Sequence, residues 1–216
     1  MKILVIIPAR KGSKRLKKKN ILKLGNKPLV QITIEFAKKL KNIFDIIVST
    51  DDKAIVKIAN KFNVKAPFIR PSSLSNDKTS SASVCVHAIN FYEKKYKNID
   101  AILMLQPTSP FRSVKSINSA IKNFKESKYK SVVSVNKLNL NPMTIIKKKQ
   151  SGNHYFLRKK EKLYEINGNF YLINKDLFLK KKKFFLSNTF LFNLKNFEET
   201  IDIDDINDLK MAKTFI

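Results

Sequence analysis

The sequence predicts an α/β protein: an open, doubly wound, mostly parallel sheet in a single domain spanning residues 1–216. Three observations carry this. Ile3 to Ile7 is an unbroken apolar run, the pattern of a central strand buried on both faces. Strand-like runs then alternate with segments whose apolar residues recur at helical spacing. The 216 residues are enough for one hydrophobic core, and no linker divides them.

The first strand stops at Pro8, which has no amide to give a sheet ladder. Arg10 to Asn20 is a polar loop without periodicity. Ile21 to Leu24 with Gly25-Asn26-Lys27 reads as a short strand and turn. Pro28 opens a helix, where its missing amide costs nothing, and Leu29, Ile32, Thr33, Phe36, Ala37 and Leu40 form the apolar face. Ile43 to Val48 is the second strand. An aspartate beyond it, within Ser49-Thr50-Asp51-Asp52, caps a helix from Ala54 to Phe62. Ala66 to Arg70 is predicted as a third strand, followed by the polar loop Pro71 to Ser81 and a helix from about Ala82 to Tyr92. Ala101 to Leu105 is another apolar strand. It runs into Gln106-Pro107-Thr108-Ser109-Pro110-Phe111-Arg112, a corner made rigid by its prolines. Val114 to Phe124 is a helix and Ser131 to Val135 a strand.

From Asn136 the rhythm breaks. The stretch at about 138–166 reads as an inserted excursion of hairpins, a lid or a subunit contact, with short extended pieces at Thr144 to Ile146 and Tyr155 to Leu157. Asn169 to Ile173 returns as a strand, Asp176 to Phe185 is amphipathic, and Phe190 to Leu194 is a strand. Ile201-Asp202-Ile203-Asp204 alternates, which puts both aspartates on one face of an extended segment. Asp205 to Phe215 closes as a helix capped by Asp204 or Asp205.

The formal charge is +27, which taken alone points to nucleic acid or a membrane surface. Only five of the 44 basic residues are arginine, and the lysines are spread over the whole chain with many asparagines and isoleucines. That is a compositional drift, so a nucleic-acid partner is not expected, and the few arginines are more informative than any lysine. No apolar run reaches the ~18 to 20 residues of a membrane span. The short run after Met1-Lys2 leads straight into charge, unlike a secretory signal. A single cysteine, Cys85, excludes an internal disulfide. A cytoplasmic protein without membrane contact is the expectation.

Two constellations carry chemistry. Arg10, Gly12, Ser13, Lys14, Arg15, Lys19 and Asn20 follow the first strand, where open α/β sheets bind ligands. Gly12 is expected to permit a special turn, its amides to form an anion nest, and Arg10 and Lys19 to meet phosphate oxygens. The glycine spacing is not that of a P-loop or a dinucleotide fingerprint. Asp202 and Asp204, late in a chain of only 17 acids, are suited to Mg²⁺ opposite that cradle. Gln106, Ser109 and Arg112, and likewise Arg70, Asp77, Ser80 and Ser81, lie past strand ends and are expected at the same crevice. Gly168, after Asn167, suggests close approach to a ligand. Cys85 and His87 sit mid-helix as packing residues, and neither a Ser-His-Asp triad nor a zinc site is present.

These motifs resemble one family. Ile7-Pro8-Ala9-Arg10-Lys11-Gly12-Ser13-Lys14-Arg15, Lys19-Asn20-Ile21, Val48-Ser49-Thr50-Asp51-Asp52, Gln106-Pro107-Thr108-Ser109-Pro110-Phe111-Arg112, Asn167-Gly168 and Asp202-Ile203-Asp204 are similar, in order, to those of acylneuraminate cytidylyltransferases. The resemblance implies a nucleotide-binding sheet with a small protruding dimerisation segment, hence a homodimer. It implies transfer of CMP from CTP to a nonulosonic acid, with Mg²⁺ and release of pyrophosphate. Arg10, Gly12, Ser13, Lys19, Asn20, Arg70, Ser80 or Ser81, and Gln106 would be on the nucleotide side. Gln106 and Asn167 would meet the sugar, and Asp202 and Asp204 the metal. Arg10, Lys19 and Asp204 would act in the transfer itself. Leu16-Lys17 stands where the family commonly has Ile-Pro, and no glutamine or proline follows Arg158. Alternatives are a Kdo-type nucleotidyltransferase, an inactive homologue, or a basic nucleic-acid-binding protein.

Overall fold

The computed structural model describes residues 1–141, 146–148, 154–156 and 162–216; at 147–148 and 154–156 only the backbone is considered. The sheet is built from β1 (Ile3–Pro8), β4 (Asp45–Ser49), β5 (Ala101–Met104), β6 (Ser131–Leu138), β9 (Leu163–Asn174) and β10 (Phe190–Asn193), in the order β10-β6-β9-β5-β1-β4. β1 pairs parallel with β4 and β5, and β10 pairs parallel with β6. Only β9 runs antiparallel, between β5 and β6. A hairpin, β2 (Lys23–Leu24) and β3 (Lys27–Pro28), precedes helix α1 (Leu29–Lys38), and β7 (Ile146–Lys148) pairs antiparallel with β8 (His154–Phe156).

The apolar run of β1 faces two cores. Ile3, Val5 and Ile7 pack with Val30 and Ile34 of α1 (Leu29–Lys38), Ile55 of α2 (Lys53–Lys61), and Ile117 and Ile121 of α4 (Val114–Glu126). Leu4 and Ile6 pack on the other side with Ala88 and Ile89 of α3 (Ser81–Lys95) and Phe178 of α5 (Lys175–Lys181). Both faces are thus covered, which is why β1 reads as a continuous hydrophobic run. A third cluster joins Leu16, Leu24, Leu29, Ile201 and Ile203 to Leu209 and Ala212 of α6 (Ile206–Lys213). α1 lies between the first and third clusters, so Val30 and Ile34 are buried in addition to the face predicted from spacing.

Several expectations change. The third strand is reduced to two parallel bridges, Ile47 with Lys65 and Thr50 with Ile69. Pro67 lies between them and cannot donate to a ladder. Pro28 is the residue before α1, in the hairpin, and not its first helical residue. Asp52 caps α2 by accepting from the Ala54 amide, and Asp205 caps α6 in a reciprocal box with Asp208. β9 begins at Leu163, so the end of the 138–166 stretch is paired with β6, Leu138 opposite Leu163. Of the short pieces expected inside that stretch, Ile146 lies in β7 and Tyr155 in β8, and Thr144, Ile145 and Leu157 lie outside the described residues.

The segment that carries the aspartates is fastened at both ends. Before it, the buried Glu199 carboxylate accepts from the Ser113 amide at 2.9 Å and the Ser116 hydroxyl at 3.2 Å, at the start of α4. Within it, the Ile203 amide donates to the Thr108 carbonyl at 2.7 Å. Glu199→Ala would leave two half-buried donors without acceptors. It is expected to cost about 1–3 kcal/mol, read as a fall in Tm of several degrees in a thermal melt; an unchanged Tm would remove Glu199 from this role.

Candidate active site

A cleft of about 370 Å³ opens at the carboxyl ends of β1 and β5. Arg10, Gly12, Ser13, Lys19, Asn20, Arg70, Ser81, Gln106, Asp202 and Asp204 all line it. The two constellations, nearly 200 residues apart in sequence, therefore share one wall-to-wall space.

The cradle loop leaves β1 through Ala9, whose amide donates to the Ser49 carbonyl at 2.9 Å. Lys18 takes the left-handed conformation, φ 54°, and turns the chain into a short 3₁₀ turn, Lys19–Ile21. That reversal presents Lys19 and Asn20 to the cleft. The Asn20 side-chain amide donates to the Arg10 carbonyl at 2.8 Å and closes the loop on itself. Leu16 anchors the loop in the third apolar cluster beside Ile203. Gly12 does not serve the turn: its φ is not positive, and a Cβ added there would meet nothing within 4 Å. Its contribution is open space at the cleft wall.

The cations are paired. Lys19 Nζ lies 2.8 Å from Asp204 Oδ1, and Arg15 bonds the other oxygen of the same carboxylate. Arg10 lies 2.6 Å from Asp77, which Lys14 approaches at 3.5 Å. Arg70 is buried; its guanidinium donates to the carbonyls of Ser49 and, at 3.4 Å, Leu74, while Nε has no partner among the described residues. Burial pushes the Arg70 guanidinium down from its ordinary value, and neighbouring Asp51 opposes this.

The two aspartates differ. Burial pushes the Asp202 carboxyl up, and the charge of Asp204 adds to this; hydrogen bonds from Thr108 and Ser109 and the charge of Lys19 oppose it. Burial also acts to raise Asp204, but the hydrogen bond and charge of Lys19, with Arg15, hold it below the usual carboxylate range. Repulsion between these two carboxylates is the feature a divalent cation would relieve. No group of three or more His, Cys, Asp or Glu among the described residues could hold a metal. The donor set is therefore two carboxylates, which fits Mg²⁺ completed by water and phosphate oxygens.

Other residues fall outside the lining. Ser80 caps α3, accepting from the Ser83 amide, so of the serine pair Ser81 is the one at the cleft. Asn167 is buried in the scaffold. It accepts from the Ser134 hydroxyl at 2.6 Å and donates to Asn136 at 2.5 Å, where β6 and β9 slip register. Arg112 faces away from the cleft, and Ser109 is buried, donating to Asp202 at 3.3 Å. Gly168, at φ 76°, allows close approach of protein to protein: a Cβ there would stand 2.8 Å from Gln106 Oε1. Cys85 is fully buried, with its thiol pushed up to about 12 by burial, and is no nucleophile. Two partnerships escape sequence reasoning, Asp77 with Arg10 and Arg15 with Asp204, because nothing local encodes a contact between distant loops.

An α/β sheet with a cationic cradle past its first strand, facing a carboxylate pair, defines a nucleotidyltransferase. The chain belongs to the cytidylyltransferase family, whose profile matches residues 4–215. It is 32% identical to a CMP-N,N'-diacetyllegionaminic acid synthase of Legionella pneumophila, over 94% of this chain and 91% of that one. Identity is 32% to a pseudaminic acid cytidylyltransferase of Campylobacter jejuni, covering 99% and 95%. It is 34% to an N-acylneuraminate cytidylyltransferase of Escherichia coli, covering 99% of this chain but 52% of the relative. Among solved structures, a CMP:2-keto-3-deoxy-manno-octonic acid synthetase complexed with CTP shares the fold at TM-score 0.73 and 19% identity, covering 100% of this chain and 98% of that one.

Gly12 and Gly168 make opposite predictions. Gly168→Ala is expected to destabilise by about 1–2 kcal/mol for its left-handed backbone, and to displace Gln106. Gly12→Ala is expected within about 0.5 kcal/mol of the parent. Urea unfolding midpoints compare them, and equal midpoints would contradict both assignments.

Proposed function

We propose that the chain transfers CMP from CTP to the anomeric hydroxyl of a nonulosonic acid, with release of pyrophosphate. The relatives named above support the reaction class and the acceptor class. The observation that carries it is Lys19, which joins the cradle to Asp204 inside one cleft. The finer identity of the acceptor falls among the sialic, legionaminic and pseudaminic acids.

In this reading Arg10 and Lys19 contact the triphosphate. Fixed cations in a partly closed cleft offset the charge that accumulates on departing pyrophosphate. The anomeric oxygen forms a bond to the α-phosphorus while its hydroxyl proton passes to water, the bond to the bridging oxygen breaks, and pyrophosphate leaves with that electron pair. Arg70 and Ser81 face the nucleotide, with Gln106 between nucleotide and acceptor. Asp202 and Asp204 would hold Mg²⁺, which supplies charge neutralisation and orientation of phosphate oxygens. Its ion pairs keep Asp204 ionised, which suits it to holding charge and not to taking the hydroxyl proton.

A homodimer and a cytoplasmic location belong to the same proposal. Beyond the sheet proper, β6 and β9 continue as a two-stranded ribbon on which Tyr164 and Ile166 share one exposed face. No helix among the described residues is long and apolar enough to cross a membrane.

Pyrophosphate release from CTP with a panel of sialic, legionaminic, pseudaminic and Kdo acids tests the reaction. Turnover with none of the nonulosonic acids would overturn it. Lys19→Ala is expected to lower kcat about a hundredfold or more, and Asp204→Ala to abolish turnover in a folded protein; Mg²⁺-dependent turnover unchanged in the latter rejects the metal assignment. Ile166→Asp is expected to convert a particle of about twice 25.0 kDa to a monomer in sedimentation. A wild-type monomer would remove the dimer.

A further inference from the structure

We propose that Arg112 is a positioning residue for the transfer: its guanidinium locks the Gln106–Ser109 corner to β9 and thereby fixes Gln106 relative to Asp202. This rests on the function proposed above. Arg112 does not itself line the cleft, but it holds three elements at once. Nη2 donates to the Gln106 carbonyl at 2.5 Å, Nε to the Asn169 carbonyl on β9 at 2.9 Å, and Nη1 to the Thr33 hydroxyl on α1 at 3.3 Å. These acceptors are all neutral, so the fork fixes geometry where an ion pair would neutralise charge.

The corner it holds reaches both halves of the site. Gln106 and Thr108 line the cleft directly. The Thr108 carbonyl accepts from the Ile203 amide at 2.7 Å, and the Ser109 hydroxyl donates to Asp202 at 3.3 Å. Asn169 ties the other side: its side-chain amide donates to the carbonyls of Phe111 at 2.9 Å and Glu199 at 2.7 Å. Arg112, Asn169 and the corner therefore form one unit, with Gln106 at one end and Asp202 at the other. A misplacement of about 1 Å between reacting groups costs on the order of a hundredfold in rate. Lysine carries the charge but only one compact head, and cannot hold two carbonyls and a hydroxyl in one plane.

The test is steady-state kinetics of Arg112→Lys and Asn169→Ser, with folding followed by thermal melts. Each is expected to stay folded, to keep KM for CTP within about threefold, and to lose about 10- to 100-fold in kcat. Because they act as one unit, the double variant is expected to lose far less than the product of the two single losses. Wild-type kcat in Arg112→Lys, or losses that only follow the fraction of folded protein in both variants, would overturn the positioning role. Absence of turnover by the wild type with every acceptor would overturn the function, and this role with it.

Discussion

Ile201-Asp202-Ile203-Asp204 is the segment on which the site depends. Its period of two sends both isoleucines into the third apolar cluster and both aspartates into the cleft. A slip of one residue would bury the carboxylates and expose the isoleucines, so apolar burial enforces the register of the polar chemistry. Asp208 then accepts from the amides of Asp204 and Asp205 at 2.8 and 2.9 Å. That capping box ends the extended run directly after the second aspartate. The same cluster takes in Leu16 from the cradle loop. One set of apolar contacts thus brings together the parts of the chain that hold opposite charge.

Several of the cleft cations are answered by carboxylates of the protein. Asp204 answers Lys19 and Arg15, and Asp77 answers Arg10 and Lys14. In the proposed function, an entering polyphosphate would compete with these carboxylates for the cations, and a divalent cation would compete with the cations for Asp204. Nucleotide and metal would then relieve each other's cost, each freeing the protein group that the other takes. This gives a physical reason for the two to bind together in a site of this composition.

Much of the scaffold was legible because burial on two faces leaves a continuous apolar run, as in β1 and β5, and one-sided helical burial leaves spacing. In α3 the face read from spacing, Val84, Cys85, Ala88, Ile89 and Tyr92, is the buried one. The aspartate pair was legible for the same reason, through alternation with isoleucine. Direction in the sheet was not: the apolar stretch Phe170 to Ile173 of β9 reads like any buried strand, and nothing in its residues says that it runs backwards between β5 and β6. The strand expected at Ala66–Arg70 failed because apolar content outweighed Pro67 in the reading, while hydrogen bonding gave Pro67 the decision. Asn167 is a different case. The resemblance puts it at the sugar, whereas its side chain meets buried partners at a register shift, an arrangement that no local pattern in the sequence encodes.

The same distinction separates functional cations from the lysine background. Charge count cannot do it, since lysines crowd nearly every surface element of a +27 chain. Immobilisation can. The Lys19 side chain keeps 13% of its exposure and lies 2.8 Å from its carboxylate, whereas Lys14, five residues earlier in the loop, keeps 81% and only approaches Asp77 at 3.5 Å. A long side chain that is already ordered has lost its rotamer entropy on folding and loses little more when it meets an anion. A freely solvated lysine bears that loss at binding and gains less from a charge screened by water. The cradle is therefore the few cations whose positions are fixed by Leu16, Lys18, Asp77 and Asp204, and the surrounding lysines contribute a diffuse positive field.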